Sequence, residues 1–589
     1  MADILIFHMS TIKGYLQENK QVAAATAVII GTGITAKIGK KLYAIHKKRQ
    51  LRLKKSRQRE ESINKWIKHV NGDAVPEEIQ KQILSLSVVE LSKKIKAGEF
   101  TAKQALRAYQ QQAILAHNVT NCIIEPIWEA EEWADELDRR KDKTGSLFGV
   151  PVSIKDNYGI KGYDSCAGCA KWVDDPWRED CVTVKVMKQE GAIPFVKTTV
   201  PQTMMSLETT SPIFGQTRNP FDPARISGGS SGGESALIAM KGSPLGYGSD
   251  IGGSIRFPCH CCGIMGIKPT SKRTSGDGMR SATNGQNLIR PGYGPLAGDL
   301  DSLVAGFKVM VNEKVFQCDP NIPPVPFNEQ LYQSRNKLKI AYFSDDGFFA
   351  CSPACVRSVT VAKEALLRSG HELVPFDITR FSERAMFLYI KCAGADRGKG
   401  VQSCLENDIV DHAMAGQLAL YNLNPTVKTL AIFLLGVIGY KKMSNTLKQT
   451  TGFDNIPEWQ DFVAEVEKFK KELREHMVSN GIDAILGPSF CIPAPTIGTW
   501  AKATGMGSYT FLFNVVDFPT GSLPVTKVTQ EDQDAMKDFP VPDIWHKAAK
   551  KSSEQGTVGL PLNVTIATLP WKEELCLRIM KELNEQLKK

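Results

Sequence analysis

The sequence predicts an α/β protein: a large, mixed and twisted β-sheet covered by helices on both faces. Three observations carry this. Short apolar runs with strand character recur along the chain, among them "LFGVPVSIKD", "LKIAYFSDD", "IDAILGPSF" and "TGSLPVTKVT". Segments of helical periodicity alternate with them, as in "CVTVKVMKQEGAIPFVKTT" and "SVTVAKEALLRSGHELVPF". The composition, 42% hydrophobic and 23% charged over 589 residues, is that of a globular chain with room for one very large domain or several ordinary ones. No internal repeat is visible.

The first element is an uncharged run of sixteen residues, "QVAAATAVIIGTGITA", between Lys20 and Lys37. A spanning helix uses about 20 apolar residues, so this run is short, although flanking lysines can snorkel and extend its reach. A cleaved signal peptide would place its charges ahead of the apolar run, whereas here the basic block follows it. The reading is an N-terminal transmembrane anchor helix, with an amphipathic surface helix or a tail as the alternative. Eleven Lys and Arg, with no Asp or Glu, fall between Lys37 and Arg59. That block exceeds the net charge of the whole chain, +10, so the rest is close to neutral. The basicity is therefore local, which argues against a nucleic-acid partner. By the positive-inside rule the block keeps the remainder on the cytoplasmic side; the membrane itself is expected to be an intracellular one, the endoplasmic reticulum or another endomembrane.

Residues 1–60 are thus read as anchor and juxtamembrane segment, and 61–100 as a helical linker. Ser87 with Glu90 resembles a capping box ahead of an amphipathic helix. Residues 101–589 are read as one large folded domain. Fourteen scattered cysteines fit reduced thiols in a cytosol-facing protein. Cys166-x-x-Cys169 lies about ninety residues from Cys259-His260-Cys261-Cys262, whose spacing is cramped for tetrahedral ligation, so no metal site is expected. The segment "IPPVPF" with Pro323-x-x-Pro326 reads as a proline-stiffened loop, or as an SH3-type ligand.

The chemistry concentrates in "ARISGGSSGGESALIAMKGSPLGYGSDIGGSIRFP", which packs nine glycines and seven serines into 35 residues. Gly228 to Gly232 formally match the G-x-S-x-G nucleophile elbow, but "NPFDPARIS" before them is no buried strand. No Gly-Lys-Ser/Thr follows, which excludes a P-loop. The two loops read better together. Ser230 and Ser231 precede a small-residue helix, and Ser254 follows Ile251-Gly252-Gly253. Glycines there leave backbone N–H groups open to a ligand, and a serine beside such donors suits acyl transfer. Serine needs a base. None of the nine histidines stands in a comparable motif, and His260 lies in the cysteine-rich run. A desolvated lysine serves equally. Lys155 ends "FGVPVSI" and precedes Asp156-Asn157; taken alone it also reads as a strand-end surface lysine.

"GVPVSIKDN", "SGGSSGGESAL" and "GSDIGGSIRFP" resemble the three core motifs of the amidase signature family in order and separation. "SYTFLFNVVDFPTGSLPVT" and "LPWKEELCLR" resemble the fatty acid amide hydrolase branch of that family. The resemblance runs from about residue 70 to the C-terminus and is thinnest in the first 60 residues and between about 375 and 450. It implies a Ser–Ser–Lys triad, with Ser254 as nucleophile, Lys155 as base and then acid, and Ser230 bridging them across a cis Gly229–Ser230 peptide. It implies an oxyanion hole from the N–H groups of Ile251, Gly252, Gly253 and Ser254. Asp250 and Arg256 would shape that loop, and Ser231 would support the hydrogen bonds around Lys155 and Ser230. Met204, Met205 and Trp545 would line the substrate channel. A homodimer is implied, and neither a metal nor an organic cofactor is required.

The stretch "LNPTVKTLAIFLLGVIGYKKM" bears on the acyl group. Its apolar run, Leu430 to Tyr440, is eleven residues long, too short to span a bilayer, and Lys441 and Lys442 follow it. It reads as a buried core helix, or as a cap around 416–445 that dips into membrane lipids with its lysines at the headgroups. Fatty acid amide hydrolases have such a cap, which points to lipid amide substrates: N-acylethanolamines such as anandamide, and primary amides such as oleamide. The alternatives are a general amidase or esterase, the amidase subunit of a transamidation complex, and a non-catalytic membrane scaffold.

Overall fold

A computed structural model describes residues 20–589, with side chains from residue 35 onward. Eleven strands form one sheet. From one edge to the other they are Ile123–Pro126, Ile193–Thr198, Pro151–Lys155, Leu245–Asp250, Gly292–Ala297, Met265–Lys268, Thr520–Lys527, Pro561–Thr568, Ala484–Pro488, Lys339–Tyr342 and Glu372–Pro375. The strand Pro151–Lys155 pairs in parallel with both neighbours, whereas Thr520–Lys527 pairs antiparallel with both of its own. The sheet is mixed, as the alternating pattern predicts.

Side-chain alternation divides the core in two. Val152, Ile154, Ala484 and Leu486 face a layer built by helices Leu300–Met310, Pro353–Arg368 and Glu573–Leu587. Ile485 faces the opposite layer, built by helices Arg256–Cys262, Thr379–Ala393, Ile456–Ser479 and Ser508–Val515. Successive residues of a strand point to opposite faces. Ser153 and Lys155 therefore share the face that Val152 and Ile154 do not use. All five residues of that strand are buried, so Lys155 is not the strand-end surface lysine that its position alone also permits.

The segment 61–100 packs into the body. The capping box at Ser87 and Glu90 forms, and the helix Val88–Ala97 behind it buries Val88, Leu91 and Ile95. Before it, one helix runs from Lys20 to Gly72. The anchor expected between Lys20 and Lys37 rests on side chains that, up to residue 34, lie outside the described residues. Among the described residues no single helix is long and apolar enough to cross a membrane. The second half of the basic block is docked on the body. Arg52 pairs with Asp408, Lys54 with Asp174 at 2.7 Å, and Lys55 with Asp164 at 3.1 Å and Glu125 at 3.3 Å. Arg59 donates to the carbonyls of Ile123 and Phe214. These cations are held by the protein's own acceptors.

Candidate active site

Lys155 is wholly buried at the end of its strand. Its Nζ donates to Ser230 Oγ at 2.8 Å, Ser249 Oγ at 2.9 Å and the Ser249 carbonyl at 3.3 Å. Burial pushes its pKa down from 10.5 to about 7, against the opposing pull of the Asp250, Glu234 and Asp156 carboxylates. An ammonium stripped of water loses hydration that three neutral acceptors only partly replace. A pKa in that range brings the ammonium and neutral amine forms of Lys155 into balance near pH 7.

Ser230 sits in the turn before the helix Gly232–Ala239, and the Gly229–Ser230 peptide is cis. Ser254 sits in the turn between the strand Leu245–Asp250 and the helix Arg256–Cys262. The two loops touch: the Ser231 N–H donates to the Ser254 carbonyl at 3.2 Å. Ser230, Ser249, Ile251 and Ser254 line one cavity. Ser231 departs from its expected part, because its hydroxyl finds no hydrogen-bond partner among the described residues. Ser249, which the motif comparison did not single out, supplies the support to Lys155 instead. It precedes Asp250 on the strand beside Pro151–Lys155, and that register brings it to the lysine.

Asp250 and Arg256 hold the Ser254 loop. Asp250 Oδ1 accepts from the Gly253 N–H at 2.7 Å, and Oδ2 accepts from the Ile255 N–H at 3.1 Å. Arg256 donates from Nε to Oδ2 and from Nη2 to Oδ1, both at 3.0 Å. Burial alone would raise the Asp250 pKa; the Arg256 charge, with hydrogen bonds from Arg256 and Asn514, overrides that and holds the carboxyl well below the usual range. The helix Ser508–Val515 clamps the loop from the far side. Arg256 donates to the Thr510 carbonyl at 3.1 Å and to Asn514 Oδ1 at 2.6 Å, and Thr510 Oγ1 donates to the Gly252 carbonyl at 2.9 Å.

This clamp revises the expected oxyanion hole. The Gly253 N–H is already engaged by Asp250, which leaves those of Ile251, Gly252 and Ser254 as the candidate donors. Gly253 has φ +110°, and a Cβ there would stand 2.7 Å from Thr510, so the position requires glycine for both conformation and space.

Two cavities meet at Ser254. One, of about 360 Å³, has apolar walls that include Met205, Tyr389, Leu435, Phe511 and Trp545. The other, of about 440 Å³, is lined by polar groups such as Asn157, Thr274, Asp277, Arg290 and Tyr293. Met204 and Met205 line both, so all three expected channel residues face a cavity that contains Ser254. The geometry offers an apolar chamber and a polar chamber on either side of a buried serine.

The apolar chamber ends beneath the helices His412–Asn422 and Pro425–Val437, which meet at a 104° bend. In the second helix only Lys428 is buried. Phe433 is 64% exposed, Leu434 49% and Val437 67%, which excludes a buried core helix, while Leu435 lines the chamber. One detail of the expected cap changes. Lys442 donates to the carbonyls of Gly347 and Phe348 at 2.8 and 2.7 Å, so it is tied to the body and unavailable to headgroups.

The family model described as Amidase matches residues 104–577. The chain belongs to the amidase family. It is an amide hydrolase, and its relatives within that family share most of its length. It is 37% identical to fatty-acid amide hydrolase 1 of Sus scrofa over 511 residues, 86% of this chain and 87% of that one. It is 34% identical to fatty acid amide hydrolase 1 of Caenorhabditis elegans, over 90% and 93% of the two chains. A solved structure of a fatty acid amide hydrolase superposes with a TM-score of 0.77 at 25% identity, covering 92% of this amidase and 95% of that chain.

Proposed function

We propose that this amidase is a serine hydrolase of fatty acid amides that takes its substrate from a membrane surface. The observation that carries this reading is the apolar chamber, which runs from Ser254 to an exposed apolar helix pair. The names of its relatives point the same way.

In the proposed reaction Ser254 Oγ attacks the amide carbonyl carbon. Its proton passes to Ser230 Oγ, whose own proton moves to neutral Lys155 Nζ. The carbonyl oxygen takes up negative charge and is met by the N–H groups of Ile251, Gly252 and Ser254. Collapse of this tetrahedral intermediate breaks the C–N bond. An amine is a poor leaving group unless protonated as it departs, so Ser230 hands its proton to the nitrogen and is resupplied by Lys155. Nucleophile activation and leaving-group protonation thus use one relay. Water then attacks the acyl–serine carbonyl carbon, and Lys155 accepts its proton through the same path. As this second intermediate collapses, the bond to Ser254 Oγ breaks and Lys155 returns the proton through Ser230 to Ser254 Oγ. The fatty acid leaves, with the serine and the neutral lysine restored. The acyl chain occupies the apolar chamber and the amine the polar one.

Two experiments test this reading. With acyl ethanolamides and primary amides of graded length, kcat/KM is expected to rise from acetyl to long-chain acyl groups; a preference for short acyl groups would instead favour a general amidase. The membrane part is tested by deleting residues 1–36 and floating the protein with liposomes in high salt, which screens the basic block. Each exposed Leu or Phe that inserts contributes roughly 1.5–3 kcal/mol before ordering costs. The truncated protein is expected to float, and Phe433→Glu with Leu434→Glu to remain in the soluble fraction. Failure of the truncated protein to float would remove the case for substrate entry from lipid.

A further inference from the structure

We propose that Glu234 is a positioning residue for the reaction, a buried acid whose charge sets how readily Lys155 gives up its proton. This rests on the reading of Lys155 as the base. Glu234 is the only charged residue of the small-residue helix Gly232–Ala239, and it is wholly buried. Its Oε2 accepts from Ser153 Oγ at 2.5 Å and its Oε1 from Thr198 Oγ1 at 2.8 Å. Both donors are neighbours of Lys155. Ser153 lies two residues before it on the same face of the strand, and Thr198 is its partner across the parallel pair. The fold makes room for the carboxyl: a Cβ at Gly246 would stand 2.0 Å from Glu234 Oε2.

Three carboxyl groups act on Lys155 from the elements around it: Asp250, Glu234 and Asp156. Arg256 neutralises Asp250, and Lys197 pairs with Asp156 at 3.0 Å. Glu234 has no cation at ion-pair distance among the described residues, only two hydroxyl donors. Its charge is therefore the one that no partner cancels, and Lys155 is the buried cation that feels it. Burial pushes the Glu234 carboxyl up to about 7, against the hydrogen bonds of Ser153 and Thr198 and the charge of Lys155. The acid and the base titrate over the same range, so the limb of the pH profile belongs to the pair.

The sign follows. An anionic Glu234 stabilises the ammonium form of Lys155 and moves the onset of activity to higher pH. Glu234→Gln keeps the size and the hydrogen-bonding reach but removes the charge. The acid limb of kcat/KM for an acyl amide is expected to move to lower pH by about one unit, and to sharpen to a single-proton titration. The rate of fluorophosphonate labelling against pH should move in parallel. A purely structural role predicts a lower plateau with the limb unmoved, and that result overturns the proposal. Should Glu234→Gln not fold, Thr198→Val removes one donor to the carboxylate, disfavours its ionised form and is expected to move the limb the same way by less; an unmoved limb there also overturns it. Lys155→Ala in the same series separates the two levels of the argument. Near-normal activity in that variant removes the triad, and this inference with it, whereas an unmoved limb in Glu234→Gln with an inactive Lys155→Ala removes this inference alone.

Discussion

Ser254→Ala is expected to abolish acyl-enzyme formation while the fold survives. The side chain is small, and the contact that joins its loop to the Ser230 loop is made by its backbone: its carbonyl accepts from the Ser231 N–H at 3.2 Å, a bond alanine keeps. The loop is otherwise held by Asp250, Arg256, Thr510 and Asn514, none of which needs the hydroxyl. Removing the nucleophile of a triad that acts as a unit lowers turnover by about 10⁴ or more. The pairing of a lost rate with an unchanged thermal midpoint is the expected result, read by amide hydrolysis and by thermal unfolding.

Lys155→Ala carries the second largest effect. Loss of a general base lowers the rate by about 10² to 10⁴, and here the same group also returns the proton to the leaving amine. Esters need less leaving-group protonation, so the variant should lose any preference for amides over matched esters. The native enzyme supplies a companion result in its pH dependence. Its Lys155 pKa is depressed to about 7 by burial, so the neutral base is present above that pH and is titrated away below it. The kcat/KM for amides is expected to fall as pH drops through 7, and this limb should vanish from the residual activity of Lys155→Ala. A variant with near-normal amide hydrolysis at neutral pH would contradict the triad.

Much of the architecture was legible because burial writes itself as pattern. Strands such as Pro151–Lys155 and Ala484–Pro488 are buried along their whole length and read as near-continuous apolar runs. The helix after Ser87 announced itself by its cap. The candidate site was legible in part for a similar reason: glycines beside serines mark places where the backbone itself must approach a ligand. What stayed hidden was contact over long separations. Asn514 meets Arg256 across 258 residues, and no local period encodes that meeting. The same holds for Lys442, whose carbonyl partners lie about 95 residues earlier and tie to the body a lysine that the sequence pattern offers to headgroups. Ser231 and Ser249 show the limit at short range. Both are serines of the same Gly/Ser-rich stretch, one heading the helix Gly232–Ala239 and one on the strand Leu245–Asp250, and only the placement of that strand beside Pro151–Lys155 decides that Ser249 reaches the lysine.

The most direct test of the proposed chemistry is to locate the adduct formed by a fluorophosphonate. The purified protein is treated with the probe, digested, and mapped by mass spectrometry. The probe phosphonylates an activated serine, and the account places that activation at Ser254, with Ser230 passing the proton on to Lys155. It predicts a single adduct on the peptide that carries Ser254, absent from Ser254→Ala and strongly reduced in Lys155→Ala. An adduct on Ser230, or no adduct on a protein that still hydrolyses amides, would contradict it.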